Sequence, residues 1–166
     1  MKPHALLLFA SLLATAACND DITGLEPPSD PAKETFAASL GVDISAMTRT
    51  PEGVYYLDQV VGTGTEVTDK TDSVFVTYAG YLKDGKLFDS GTNVKFIPAG
   101  LIVGFQKGMI GMKAGGKRKI VIPSELGYGR FTQYNIEDGS IKIPRQSTLI
   151  FDVEALAVHT PAPAGT

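Results

Sequence analysis

The sequence contains no tryptophan, one cysteine and only two histidines among its 166 residues. A single cysteine, Cys18, excludes an intramolecular disulfide bond. The histidines, His4 and His159, stand near the two ends of the chain, so the central region has no imidazole that could serve a serine or cysteine nucleophile as its base. The same region has no two Cys or His ligands, which argues against a zinc site.

The chain also lacks an excess of positive charge. Its formal net charge is −3 and its pI is about 5.3, which excludes the basic footprint that nucleic-acid-binding domains carry. The short basic cluster 117–119 is strand-like and is interpreted as a solvated strand edge rather than as an anion site. The glycine pairs at 62–64 and 115–116 lack the spacing of nucleotide-binding loops and predict turns.

The N-terminus carries an apolar run, Ala5–Ala14, that is too short for a retained transmembrane helix. With Lys2 before it and small residues after it, this run predicts a signal peptide over residues 1–17. Cys18 follows two alanines and resembles the acylated cysteine of a bacterial lipobox, although Thr15 stands where that pattern usually has an aliphatic residue. We expect acylation of Cys18 and a lipid anchor. Ordinary signal cleavage nearby, which would leave a free thiol, is the alternative.

Composition divides the remainder of the chain into three parts. Residues 18–50 begin with a stretch rich in Asp and Pro and predict a flexible tether, within which Phe36–Leu40 could form a short helical turn. Residues 51–158 have the ordinary composition of one globular domain. Residues 159–166, rich in Pro, Ala and Gly, predict a disordered tail.

Periodicity within the domain predicts several strands and one helix. Val74, Val76 and Tyr78 alternate with Phe75 and Thr77, as in a half-buried strand, and Asp84-Gly85 predicts a hairpin turn after it. Apolar residues at helical spacing predict one helix over Leu101–Met109. Further strands are predicted at Gly53–Val61, Lys86–Asp89, Val94–Ile97, Lys119–Ile122 and Thr148–Ala157. We therefore predict an α+β fold in which a curled antiparallel β-sheet packs on one short α-helix.

Three segments in a fixed order resemble the FKBP-type peptidyl-prolyl cis-trans isomerases: VFVTYAGYLKDGKLFDSG, GFQKGMIGMKAGGKRKIVIPSELGYG and IPRQSTLIFDVEAL. The resemblance covers roughly residues 53–158. It implies the FKBP fold and an isomerase that helps exported proteins fold by easing rotation about X–Pro bonds. Such chemistry needs an apolar cavity with a few polar groups, and the resemblance implies no cofactor or metal.

The resemblance also implies site residues. Tyr78, Asp89 and Tyr128 match the catalytic positions: the hydroxyl of Tyr78 would meet the Asp89 carboxylate, and Tyr128 would donate to a substrate carbonyl. The backbone N–H of Ile102 would bind another carbonyl. Seven residues match substrate-binding positions: Phe88, Phe96, Leu101, Ile102, Phe105, Ile143 and Phe151.

The sequence departs from the family pattern in three places. The stretch between Asp89 and Phe96 is shorter than in common members and lacks the arginine that usually pairs with the pocket aspartate; Lys95 cannot be assigned that role from spacing. Phe105 stands where the family commonly has a tryptophan. The loop between Tyr128 and Ile143 is longer than usual, and its bulky apolar residues either alter substrate choice or pack against their own loop.

Two functions remain open at this point: a prolyl isomerase, and a binding module that grips a proline-containing segment without turnover. The expected partners are proline-containing polypeptides and the membrane through acylated Cys18, with no nucleic acid. Macrolide immunosuppressant-type ligands are further candidates for the pocket. A monomer is the default. Export to the periplasmic side is expected, and Asn19 gives no clear inner-membrane retention signal, which leaves the outer membrane.

Overall fold

The computed structural model describes residues 26–161, which form a six-stranded antiparallel sheet curled around one short helix. The elements are β1 Thr48–Arg49, β2 Tyr55–Val60, β3 Ser73–Leu82, β4 Leu87–Phe96, α1 Val103–Met109, β5 Lys117–Ile122, β6 Gln133–Tyr134, β7 Ile141–Ile143 and β8 Leu149–His159. The strands follow the order β1-β2-β5-β8-β3-β4, and β6 and β7 form a separate hairpin. The predicted α+β fold, a curled antiparallel sheet packed on one short helix, is confirmed.

Strand β8 forms the centre of the sheet, paired with β5 on one side and β3 on the other. Its alternate residues from Leu149 to Ala155 are buried against the helix, as the sequence predicts. Ile150 points to the opposite face and is also fully buried. A strand covered on both faces reads as a continuous apolar run, and that is the pattern at the start of β8.

The helix α1 lies close to β5 because it carries two glycines on the contact face. A Cβ atom at Gly108 would lie 2.5 Å from Cγ2 of Ile120, and one at Gly104 would collide with Ile122. The glycines that weaken helix propensity therefore permit this packing. The helix begins at Val103, two residues later than predicted, because Leu101 and Ile102 adopt non-helical backbone conformations.

The N-terminal segment covers the other face of the sheet. Three short 3-10 turns occupy Pro31–Lys33, Ala38–Leu40 and Ile44–Ala46. Leu40 is buried in a second apolar cluster together with Val121 and Ile150 of the sheet. The prediction of a flexible tether up to residue 50 is therefore wrong for this packed part of the chain, because a few apolar side chains spaced among the polar ones suffice to dock it.

The interpretation of the basic cluster 117–119 as a solvated strand edge is also wrong. Strand β5 lies inside the sheet, and Arg118 is buried. Its guanidinium binds both carboxylate oxygens of Asp58 at 2.7 and 2.9 Å and the carbonyls of Gly108 and Ile110 at 2.9 Å each. A buried cation tied to this many acceptors fixes the end of α1 to the sheet.

Two further predictions need correction at the level of element bounds. The two short strands predicted at 86–89 and 94–97 are one strand, β4, which contains Gly91 and a residue of positive φ, Asn93. The predicted tail begins too early, since β8 includes His159, whose ring packs edge-on against Phe75.

No helix within residues 26–161 is long and apolar enough to cross a membrane. The predicted signal peptide 1–17, Cys18, the start of the tether and the residues after 161 lie outside the described residues.

Candidate active site

A cavity of about 330 Å³ opens between the curled sheet and the start of α1. Its walls are mainly aromatic and aliphatic, with one carboxylate and two tyrosines. Eight of the ten site residues predicted from the sequence line it, together with one that was not predicted, Gly100. The lining residues are Tyr78, Asp89, Phe96, Gly100, Leu101, Ile102, Phe105, Tyr128 and Phe151.

The register between β3 and β4 brings the polar groups together. Gly80 lies opposite Asp89 and Tyr78 lies opposite Gly91, so the tyrosine and the carboxylate share one face of the pair. A Cβ atom on Gly91 would lie 2.8 Å from the Tyr78 ring. The glycine therefore leaves the space into which the tyrosine folds toward Asp89.

The walls form a continuous series of aromatic contacts. Tyr78 contacts Phe96 at 5.1 Å between ring centroids, and Phe96 meets Phe105 edge-to-face at 5.9 Å. Phe105 in turn meets Phe151 edge-to-face at 4.8 Å. Phe105 is only 3% exposed, so it forms the floor of the cavity. Edge-to-face pairs of this kind stabilise a fixed wall shape by about 0.5–1.5 kcal/mol each beyond the burial of their area.

The two tyrosine hydroxyls at the rim are hydrogen-bond donors at neutral pH, and the Asp89 carboxylate is an acceptor. The Tyr78 hydroxyl donates to Oδ2 of Asp89 at 3.0 Å. Burial, together with the hydrogen bond to Asp89 and its charge, raises the pKa of Tyr78 to about 12. Burial and the charge of Asp89 also raise the pKa of Tyr128. No hydrogen bond to another residue of the described part of the chain engages the Tyr128 hydroxyl, so it can donate into the cavity.

The link into α1 supplies a backbone donor. The carbonyl of Ile102 accepts from the N–H groups of Phe105 and Gln106 at 3.0 and 3.1 Å, and the Gln106 side chain donates to the Leu101 carbonyl at 2.7 Å. These bonds fix the link, while the Ile102 N–H has no acceptor within residues 26–161. Position and chemistry both match the donor that the resemblance implies.

One residue near the site was missed by sequence reasoning. Lys142 of β7 brings its Nζ to 4.0 Å from Oδ1 of Asp89. It supplies a cation near the carboxylate, where the family pattern has an arginine on another segment. The only signal in the sequence is that Lys142 directly precedes Ile143 of the IP element, and it gives no hint of the distance to Asp89.

Two predicted substrate-binding residues do not line the cavity. Ile143 is 2% exposed and belongs to the main core. Phe88 lies behind the wall and meets Phe151 edge-to-face at 5.6 Å, close to Gly80. Both residues lie outside the cavity lining, so the structure does not support their assignment as direct substrate contacts.

A larger cavity, of about 640 Å³, shares no residue with this one. It lies between the N-terminal segment and the 144–148 loop, its lining is of mixed charge, and it includes no aromatic side chain. Among residues 26–161 no group of three His, Cys, Asp or Glu side chains is arranged to hold a metal ion. The aromatic cavity is therefore the better candidate for binding an apolar ring flanked by peptide carbonyls.

Comparison with known proteins supports the same interpretation of the aromatic cavity. The family model described as FKBP-type peptidyl-prolyl cis-trans isomerase matches residues 64–156. The FKBP-type peptidyl-prolyl cis-trans isomerase FkpA of Escherichia coli (strain K12) is 39% identical over 154 residues, which cover 90% of this chain and 52% of that protein. An FK506-binding protein of Neisseria meningitidis serogroup C is 42% identical over 96 residues, covering 54% of this chain and 83% of that protein.

Solved structures agree with the fold. The crystal structure of FkpA from Escherichia coli has a TM-score of 0.60 at 40% identity and covers 71% of this chain and 53% of the other. The crystal structure of AtFKBP13 has a TM-score of 0.59 at 35% identity and covers 67% of this chain and 97% of the other. The chain spans about half the length of the FkpA relatives that it matches.

Proposed function

The chain belongs to the FKBP-type peptidyl-prolyl cis-trans isomerase family, and on that premise we propose that its aromatic cavity catalyses the cis–trans isomerisation of X–Pro bonds in unfolded polypeptides. The observation that carries the proposal is the cavity itself: aromatic walls, a Tyr78–Asp89 hydrogen bond at the rim and a Tyr128 hydroxyl that no other residue of 26–161 engages. These groups suit rotation of an amide better than its cleavage.

The chemistry follows from amide resonance. Rotation about the peptide bond has a barrier of about 18–20 kcal/mol because the planar form is stabilised by charge separation. Water stabilises that polar planar form more than the twisted one. An apolar cavity removes this solvation, and donors placed for the twisted geometry bind the transition state more tightly than the ground state. No covalent intermediate is needed.

Each group in the cavity then has a distinct role. The proline ring sits on Phe105, between Phe96 and Phe151, and excludes water. The N–H of Ile102 and the hydroxyl of Tyr128 donate to carbonyls that flank the rotating bond. Asp89 holds Tyr78 in place and leaves its other carboxylate oxygen near the cavity. Macrolide ligands with a similar cyclic amide are candidates for the same walls.

The experiment is a protease-coupled assay of X–Pro isomerisation in a tetrapeptide, a reaction that takes tens to hundreds of seconds without catalyst. We expect acceleration by the wild-type chain and a loss of about ten- to hundred-fold in kcat/KM for Asp89→Asn, because a hydrogen bond to a charged group contributes about 1.5–3 kcal/mol. Glu125→Gln is the matched control, since Glu125 is exposed and outside the cavity.

If the wild-type chain binds a proline peptide but leaves isomerisation at its uncatalysed rate, the isomerase proposal fails. The chain is then a non-catalytic proline-binding module. Equal activity in Asp89→Asn and Glu125→Gln would remove the carboxylate from the mechanism.

We further propose that the protein acts on exported polypeptides at the periplasmic side of the cell envelope, anchored by an acylated Cys18. The support is the leader-like sequence before Cys18 and the bacterial relatives of the FkpA type. Cys18→Ser should move the protein from the membrane fraction to the soluble fraction after cell lysis. Continued sedimentation of this variant with membranes would contradict the lipid anchor.

A further inference from the structure

The hairpin formed by β6 and β7 exposes an unusual amount of apolar surface. Phe131 is 69% exposed, Tyr134 59%, Ile136 fully and Ile141 51%. These four side chains belong to eleven consecutive residues. Exposed apolar residues that occur singly are normal, but a cluster of them on one short segment marks an interaction surface.

The hairpin holds these side chains outward. Tyr134 pairs with Ile141 across the two strands, and Ile143 anchors the base of β7 in the core. The tip is closed by a bond from the Asn135 N–H to the Ser140 carbonyl at 2.8 Å and by one between their side chains. The apolar residues therefore do not pack against their own loop.

Two contacts join the hairpin to the rim of the aromatic cavity, and a third joins it to the turn between β3 and β4. The N–H of Phe131 donates to the carbonyl of Tyr128 at 3.1 Å, so Phe131 lies one turn of the chain after the tyrosine that lines the cavity. Lys142 approaches Asp89 to 4.0 Å, and Lys86 donates to the Ile141 carbonyl at 3.5 Å. The hairpin that carries the apolar surface therefore adjoins the rim of the cavity.

We propose that the outer surface of this hairpin, formed by Phe131, Tyr134, Ile136 and Ile141, binds apolar side chains of an unfolded polypeptide whose proline occupies the cavity. The inference rests on the proposed function, because it assigns to the client chain a second region of contact. Unfolded chains expose apolar residues that folded proteins bury. A cavity of about 330 Å³ accommodates the proline and its neighbours only, so the rest of a long client must run across the adjoining surface.

The test compares two substrates and two variants of the full chain. The substrates are a tetrapeptide and a reduced, carboxymethylated ribonuclease whose refolding is limited by a prolyl bond. The hairpin variant is F131S/I136S, which changes two exposed residues outside the paired strand positions. The matched control is V60S/V61S, which removes two exposed apolar side chains that belong neither to the cavity lining nor to the hairpin.

We expect the hairpin variant to keep wild-type kcat/KM on the tetrapeptide and to lose about ten-fold on the refolding protein, since partial burial of two apolar side chains is worth about that factor. V60S/V61S should match the wild type on both substrates. Undiminished refolding turnover in the hairpin variant would overturn the proposal. An equal loss on both substrates would overturn it too, because the hairpin would then act through the shape of the cavity.

Two additional measurements separate other outcomes. Sedimentation that shifts from dimer to monomer in F131S/I136S would assign the hairpin to contact between copies of this chain, against the proposal. Fluorescence anisotropy with a permanently unfolded, labelled chain reports hairpin binding even if the wild type fails to isomerise the tetrapeptide. Loss of about ten-fold in that affinity supports the docking surface independently of catalysis, and unchanged affinity refutes it.

Discussion

The substitution Tyr128→Phe separates the chemistry of the cavity from its architecture. The Tyr128 ring packs against the main core, whereas its hydroxyl lines the cavity and has no partner in the described part of the chain. Its raised pKa keeps the hydroxyl protonated at neutral pH, so it acts as a donor. Removing one oxygen atom therefore removes a donor from the cavity and leaves the wall in place.

The size of the effect follows from the net value of one neutral hydrogen bond, about 0.5–1.5 kcal/mol. If the bond forms fully only as the amide twists, kcat/KM should fall by about three- to ten-fold, with the loss mainly in kcat. The free energy of unfolding should change by less than about 0.5 kcal/mol, because no bond within the protein is lost.

Two tyrosines provide the comparison. Tyr78→Phe removes a bond to Asp89 and should lower both kcat/KM and, by about 1 kcal/mol, stability. Tyr134→Phe, on the exposed hairpin, should leave tetrapeptide turnover and urea unfolding unchanged. The reasoning fails if Tyr128→Phe keeps full turnover in the protease-coupled assay, or if it unfolds at a clearly lower urea concentration, since the hydroxyl would then be structural.

Three other predictions concern stability. Arg118→Met should lower the free energy of unfolding in urea by about 3–5 kcal/mol, because it leaves a carboxylate and two carbonyls without their partner. Lys113→Met breaks an exposed ion pair and should lower it by less than about 1 kcal/mol. Similar losses in the two variants would contradict the role of the buried cation. Gly80→Ala places a Cβ atom 2.7–2.9 Å from two aromatic rings and should destabilise the fold by about 1–3 kcal/mol. Gly100→Ala should not, because no described atom lies within 4 Å of a Cβ atom there. An unchanged urea midpoint in Gly80→Ala would show that the rings move aside without cost. Because the pKa of Tyr78 is raised from 10.0 to about 12, the folded state holds that proton more tightly than the unfolded state. The free energy of unfolding should therefore fall as the pH rises from 10 toward 12. Tyr78→Phe should reduce this fall, and an equal dependence of the unfolding free energy on pH in the variant would refute the shift.

The sequence predicted most of the cavity because its members sit on elements with strong local signals. Tyr78 belongs to an alternating strand, Phe105 to the one helical pattern, and Phe151 to a long β-rich run. Once the family order of these segments is recognised, the register of the strands brings them together. The resemblance assigns Phe88 and Ile143 to the cavity. The register of β3 and β4 shifts at Phe88, however, and its ring packs against Phe151 beside Gly80, while Ile143 is buried in the main core.

Features that depend on distant partners could not be predicted. The burial of Arg118 requires Asp58, which lies 60 residues away in the sequence. The general rule that charged residues are exposed cannot predict such a distant partner. Lys142 approaches Asp89 through the position of the β6–β7 hairpin in the folded chain, which no local sequence pattern predicts. Strand β4 continues through Gly91 and Asn93, since its pairing with β3 outweighs the local preference for a break.

The docking of the N-terminal segment on the back of the sheet determines which recombinant pieces of this protein are worth making. A chain trimmed to residues 64–156, the range shared with the family, would lose β1 and β2 and leave β5 as an open border of the sheet. It would also bare Val121 and Ile150, which Leu40 now helps to cover. Such a product would be prone to self-association through strand pairing, and its inactivity would say nothing about catalysis. The smallest piece suited to inhibitor screening therefore retains the segment from residue 26 onward.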